Sequence, residues 1–227
     1  MATFSSSNLR VWGVLSGPSC QDSLPAGLFL GGAPANVACH LNELGRRATV
    51  VSRVGDDELG REVFRRLQKR GLDTAGIQVD NSGIPTGFVV VTMNGAMPSY
   101  DIVQPSAWDA MDATEDLVAA AAGAVVVYGS LAQRDPRSRA AITAAAAAAS
   151  KRVFDVNLRK PFVDAALCVE HARGCWLLKL NDEAGIIQHE HSTDVESPPP
   201  PPHVCKSIHT HGKPCSSDLR RHEAGGG

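Results

Sequence analysis

Two adjacent glycines leading into a helix are the residues of this chain whose types and spacing best suit chemistry. In Gly31-Gly32-Ala33-Pro34-Ala35-Asn36, the missing Cβ atoms let main-chain N–H groups face a ligand, and a helix N-terminus favours electron-rich oxygens. Asn36, about one turn into the helix, carries a donor and an acceptor suited to a sugar hydroxyl. The competing reading of the same residues is a tight turn followed by an Asn that faces the core. A second chemistry-bearing set is His189, His191, His203, Cys205, His209, His211 and Cys215. Its His-x-His and long Cys-to-Cys spacings match no zinc module, so no metal site is expected there.

The elements that must position the glycine loop follow from pattern. A short strand is read at 27–30, and Pro34 with its fixed φ starts a helix over 36–44 that Gly45 ends. The apolar run 48–54 reads as a strand buried on both faces. Asp56 or Asp57 caps the next helix, which carries Leu59, Val63 and Leu67 on one stripe to Lys69 before Gly71 closes it. Segments 86–93 and 97–103 flank Asn94-Gly95 and read as a β-hairpin, a type of insertion that commonly serves as a lid. Helix at 116–122, strand at 124–128, helix at 136–150, and strands at 152–156 and 176–180 follow, the second helix carrying an alanine run with a thin profile. Strand and helix alternating with short loops specify an α/β doubly wound, mostly parallel sheet. The first twenty residues read as irregular. Residues 184–227, with five consecutive prolines and no hydrophobic periodicity, read as a disordered Pro/His-rich tail.

The totals narrow the function. With 227 residues and 43% hydrophobic content the chain can bury one core. A net charge of −2 supplies no electrostatic footprint for nucleic acid or an acidic membrane, so the expected ligand is a small molecule. No run approaches the ~18 apolar residues of a membrane span. Six scattered cysteines fit a reducing cytosol, and cytoplasmic localisation is the expectation. The Ser-rich, acid-free opening MATFSSSNLR makes a plastid the alternative.

Gly31-Gly32, Pro34, Asn36, Ala38, Gly45 and Gly55 stand at the spacing of a known signature. With Gly55-Asp56-Asp57-Glu58-Leu59-Gly60, Gly71-Leu72-Asp73 and Gln104-Pro105-Ser106-Ala107-Trp108, the chain resembles the ribokinase-like, or pfkB, family of carbohydrate kinases. Gly129-Ser130-Leu131-Ala132-Gln133-Arg134, Asp155-Val156-Asn157-Leu158-Arg159 and Lys179-Leu180-Asn181-Asp182-Glu183 resemble its fructokinase-like members. The resemblance spans 22–183, with a β lid at about 84–104. It implies a sugar bound between sheet and lid, ATP as phosphoryl donor, and Mg²⁺. It further implies that Asp22, Gly31, Gly32 and Asn36 bind the sugar, that Asn157 and Arg159 reach the sugar or the transferring phosphate, and that Asn181 lies near the ATP phosphates. A homodimer or heterodimer through the lid is the implied assembly.

The departures matter too. Gly17-Pro18-Ser19-Cys20-Gln21-Asp22 keeps only the ends of the family's opening strand, and Pro18 argues against a normal central strand. Three residues after Asn181 stands Ala184 in place of the family's Glu. No Gly-Ala-Gly-Asp, the family's catalytic segment, occurs, and Asp218 has no glycines before it. A missing base costs ~10²–10⁴ in rate. The expectation is therefore a carbohydrate kinase cut short or frame-shifted after about 183, impaired or inactive, with no catalytic base. The alternative is a non-catalytic sugar-binding or regulatory protein of the same fold. An exposed strand edge is expected where later strands would pair.

Overall fold

The computed structural model describes residues 9–12, 17–20, 30–94, 97–180 and 203–206. Its strands are β1 (Leu9–Trp12), β2 (Gly17–Cys20), β3 (Ala48–Gly55), β4 (Ile77–Asp80), β5 (Phe88–Asn94), β6 (Met97–Ile102), β7 (Val125–Gly129), β8 (Lys151–Asp155), β9 (Leu177–Leu180) and β10 (His203–Lys206). Its α-helices are α1 (Ala33–Glu43), α2 (Glu58–Lys69), α3 (Glu115–Ala121), α4 (Pro136–Ala148) and α5 (Ala165–Gly174). A parallel sheet in the order β10-β9-β8-β7-β1-β3-β4 forms the body, and β2-β5-β6 form a small second sheet. Strand order reverses around β1, which pairs with β3 on one side and β7 on the other. Such a switch point is where doubly wound sheets take ligands, beyond the carboxyl ends of the strands.

The core lies on both faces of the sheet. Val50 and Val54 of β3 pack with Ala35, Ala38, Val63 and Leu67 of α1 and α2 on one face. Val51 points the other way, into a cluster with Trp108, Val126, Phe154, Ile142 and Leu178. Alternation within one strand therefore serves two cores, which is why 48–54 reads as continuously apolar. The alanines of α4 bring that helix close, with Ala141, Ile142, Ala145 and Ala146 buried. Cys168 and Cys175 are buried free thiols, and burial pushes Cys168 up to about 11.

Three expectations change. Within the opening segment read as irregular, Leu9–Trp12 forms β1, an interior strand of the sheet between β7 and β3. It escapes a periodicity reading because only four residues pair, behind a Ser-rich lead, with Arg10 in the middle. That guanidinium is accommodated by the Ala120 carbonyl at 3.3 Å and by the Thr49 hydroxyl. Gly17–Cys20 also forms a strand despite Pro18, because β2 has β5 as its partner in the small sheet and lies at its edge, where a missing N–H is tolerated. Within the segment read as a tail, His203–Lys206 pairs in parallel with β9. That strand covers the β9 edge expected to be open and becomes the edge itself; the other residues of 184–227 lie outside the described ones.

The expected hairpin forms, its antiparallel pairing running from Val89 with Ile102 to Asn94 with Met97. Gly95 of the expected Asn94-Gly95 turn lies outside the described residues.

Candidate functional site

α1 packs on β3, and a short loop joins its C-terminus to the start of that strand. Its N-terminus therefore lies toward the carboxyl end of the sheet. Gly32 is the N-cap residue with φ 102°, ψ 130°, a region open to glycine and strained for other residues, and both glycines are half-buried. No side chain caps this helix and no acidic residue stands in its first turn. The first intrahelical bond runs from the Asn36 N–H to the Gly32 carbonyl at 3.2 Å, so the earlier amides keep their capacity for a ligand. Asn36 is exposed, which overturns the core-facing reading, and among the described residues its side chain has no partner. Asp22 and Asn181 lie outside the described residues, as does the proposed strand at 27–29.

The loop after β8 carries the other candidates. Asn157 and Arg159 are half-buried. The Asn157 N–H donates to Asp155 Oδ1 at 3.3 Å, and Arg159 Nη1 donates to the Leu158 carbonyl at 3.0 Å. Asp155 has a structural task that motif reading did not assign. Lys179 Nζ donates to its two carboxylate oxygens at 2.8 and 2.9 Å, tying the carboxyl ends of β8 and β9 together. Ser130 donates to the Val156 carbonyl at 3.4 Å and Val156 donates to the Lys179 carbonyl at 3.0 Å, so the ends of β7, β8 and β9 form one stitched rim. The topology thus brings Gly31, Gly32 and Asn36 to the same end of the sheet as Asn157 and Arg159.

Other residues of the signature hold the site without facing it. The Asp57 carboxylate caps α2 through the Gly60 N–H at 2.7 Å and takes the Thr86 N–H at 2.8 Å and the Thr86 hydroxyl at 2.7 Å. Thr86 Oγ1 in turn accepts the Gly55 N–H at 2.8 Å. Burial pushes the Asp57 carboxyl up, but the bonds from Thr86 and Gly60 outweigh it and hold the group below its ordinary value. A Cβ on Gly60 would stand 2.2 Å from the Gly55 carbonyl oxygen, so the glycines at both ends of Gly55-Asp56-Asp57-Glu58-Leu59-Gly60 serve close packing. This knot joins the end of β3 to the strand that enters the lid.

Behind the rim, Arg134 forms a two-pronged ion pair with Asp109 at 2.8 and 2.7 Å, and its guanidinium lies 4.4 Å from the Phe162 ring centre and 5.5 Å from that of Trp108. Phe162 belongs to the loop that bears Asn157 and Arg159. Arg134 thereby clamps that loop to the turn following the lid. Sequence reasoning missed this pair, since ion pairs 25 residues apart leave no periodic signal. Among the described residues no group of three His, Cys, Asp or Glu side chains could hold a metal, and no helix is long and apolar enough to cross a membrane.

This architecture is that of known sugar kinases. The sequence profile of the pfkB family carbohydrate kinase matches residues 26–197. A Pyrococcus horikoshii protein described as an uncharacterized sugar kinase is 36% identical over 135 residues, 57% of this chain and 43% of that protein. Fructokinase-2 of Oryza sativa subsp. japonica is 31% identical over 166 residues, 70% of this chain and 48% of that protein. The crystal structure of the Pyrococcus protein superposes with a TM-score of 0.73 at 25% identity, covering 88% of this chain and 72% of that one, and it has also been solved in complex with ATP. The chain spans about half or less of the length of these curated relatives. With a profile match over most of its length and a glycine-led helix at the sheet's carboxyl end, the chain belongs to the pfkB family of carbohydrate kinases.

Proposed function

We propose that this chain carries the sugar-binding half of an ATP-dependent, fructokinase-like sugar kinase, and that the 227 residues alone turn over slowly or not at all. The observation that carries the reading is the uncapped N-terminus of α1 behind Gly32, facing the same end of the sheet as Asn157 and Arg159. Amides and the Asn36 side chain suit sugar hydroxyls, and Arg159 suits a sugar oxygen or a phosphate. Asp22 would take vicinal hydroxyls with two charge-assisted bonds, and Asn181 would lie toward the ATP phosphates.

Mg²⁺ would accompany ATP by family; Ala184 stands where the family places a supporting Glu, and among the described residues no group of three His, Cys, Asp or Glu side chains could hold a metal. ATP supplies the γ-phosphoryl in relatives of this fold, and in-line attack by a sugar hydroxyl needs a base that Gly-Ala-Gly-Asp would provide. The second reading is a non-catalytic sugar-binding or regulatory protein that pairs through the lid with a full-length relative. Fructose-dependent thermal stabilisation beside a coupled ATP assay separates the two. Stabilisation without turnover supports sugar binding alone; turnover above about 1 s⁻¹ restores the full kinase. No stabilisation by any of fructose, ribose or 2-dehydro-3-deoxygluconate refutes both.

A further inference from the structure

At the amino ends of β1 and β3, opposite the rim that carries the sugar-binding candidates, lies a polar cavity of about 470 Å³ lined by Arg10, Asn42, Arg47, Thr49 and Asp73 with Ala48 and Gly71. Two helices end beside it. α1 and α2 finish with backbone closures, the Arg46 N–H to the Leu41 carbonyl at 2.8 Å and the Leu72 N–H to the Leu67 carbonyl at 3.1 Å. Asn42 Nδ2 donates to the Arg70 carbonyl at 2.8 Å and joins the two ends. The carbonyls that would otherwise attract the arginines are thus already engaged.

The cavity's carboxylate is engaged as well. Asp73 accepts from the Thr49 hydroxyl at 2.9 Å and from the Ala75 N–H at 2.9 Å. Arg10 spends Nε and Nη1 on Ala120 and Thr49 and keeps Nη2. Arg47 is exposed and has no side-chain hydrogen bond or ion pair among the described residues, and the same holds for Arg46 and Arg70 beside it. Arg10, Arg46, Arg47 and Arg70 thus gather around a cavity whose lining holds one carboxylate, Asp73.

We propose that this cavity binds the phosphate of a small phosphomonoester, Arg47 and Arg10 Nη2 holding the phosphate while the Asn42 amide oxygen and the Asp73 carboxylate accept from hydroxyls of its body. Two guanidinium groups match a phosphate monoester of charge about −2 better than they match a singly charged carboxylate. The volume falls in the range of about 300–1,000 Å³ typical of small-molecule sites. The site stands at the other end of the sheet from the proposed sugar site and does not depend on it.

Titration calorimetry of the full 227-residue chain tests this with glucose 6-phosphate, inorganic phosphate and glucose. Saturable binding of the ester is expected, with phosphate weaker and glucose silent, and saturating fructose should not displace it. Arg47→Met should weaken the ester by about tenfold or more, the loss of one charge-assisted contact, with an unchanged melting curve because Arg47 has no bonds to lose. Arg47→Glu, at the same exposed position, should abolish binding. Equal affinity in both variants, displacement by fructose, or no heat with the parent chain would each overturn the assignment. Phosphate binding as tightly as the ester would refute the part assigned to Asn42 and Asp73.

Discussion

Thr86→Val tests whether the signature residues after β3 act as a structural knot. The two side chains are nearly the same shape, and Thr86 is 1% exposed, so the substitution leaves packing in place and removes a hydroxyl. That hydroxyl accepts from the Gly55 N–H at 2.8 Å and donates to Asp57 Oδ1 at 2.7 Å. An orphaned buried N–H costs about 1–3 kcal/mol, and a hydroxyl-to-carboxylate bond contributes about 1.5–3 kcal/mol. Asp57 retains the amides of Gly60 and Thr86, which limits the sum to about 3 kcal/mol. For a chain of this size that lowers the melting midpoint by about 6–12 °C. Differential scanning calorimetry reads it, with Thr86→Ser as control. Serine keeps both hydrogen bonds and gives up one methyl, about 1 kcal/mol. A valine variant melting within about 1 °C of the parent, or a serine variant melting as low as valine, would refute the reasoning.

Other outcomes follow from the same geometry. Gly87→Ala places a Cβ 2.1 Å from the buried Trp108 ring, so it should cost about 1–3 kcal/mol or more in chemical denaturation, whereas Gly83→Ala, with nothing near, should show only the strain of its positive φ. The buried Asp80 carboxyl is pushed up by burial, but bonds from Ser82 and Ile84 and the Arg53 cation 2.8 Å away outweigh this and bring it down to about 2. A group depressed on folding gives stability above its unfolded value near 4 and loses it as pH falls through the folded one, so about 2 kcal/mol should disappear between about pH 4 and pH 2. Asp80→Asn should flatten that part of the stability–pH curve, and an unchanged slope would count against the assignment. Arg134→Met strands the Asp109 carboxylate, 14% exposed, and should cost about 3–5 kcal/mol by urea melt, with a matching loss of sugar affinity because Phe162 is released. Asn36→Ala should leave the sugar-free melting midpoint within about 0.5 kcal/mol of the parent and abolish most of the fructose-dependent rise; a retained rise would remove Asn36 from the site.

What the sequence revealed and what it hid divide along physical lines. α2 was legible because its signals are local: Asp57 as N-cap, a Leu59, Val63, Leu67 stripe, Gly71 at the end. β3 was legible because burial on both faces leaves a continuous apolar run. β1 was hidden, although it is an interior strand of the sheet, because its evidence is entirely non-local: four residues, one of them Arg10, acquire meaning only when β3 and β7 stand on either side. β10 was hidden for the same reason, as the open edge of β9 supplies the hydrogen-bonding partners that its own composition does not announce.

The same division runs through the site. Spacing alone nominates Gly31, Gly32, Asn36, Asn157 and Arg159 as candidates, but does not show that Asp155, within the same motif, is occupied by Lys179. Nor does it tell that the Gly55 to Gly60 segment closes on Thr86 instead of on a ligand. A signature is kept together by two different demands, contact with a substrate and the close packing of the strands that present the contacts. Of the run from Gly31 to Gly60, the first six residues are the ones proposed to answer the first demand, and the last six answer the second. Substitutions in the two parts should accordingly separate into changes of sugar affinity at constant stability and changes of stability that carry affinity with them.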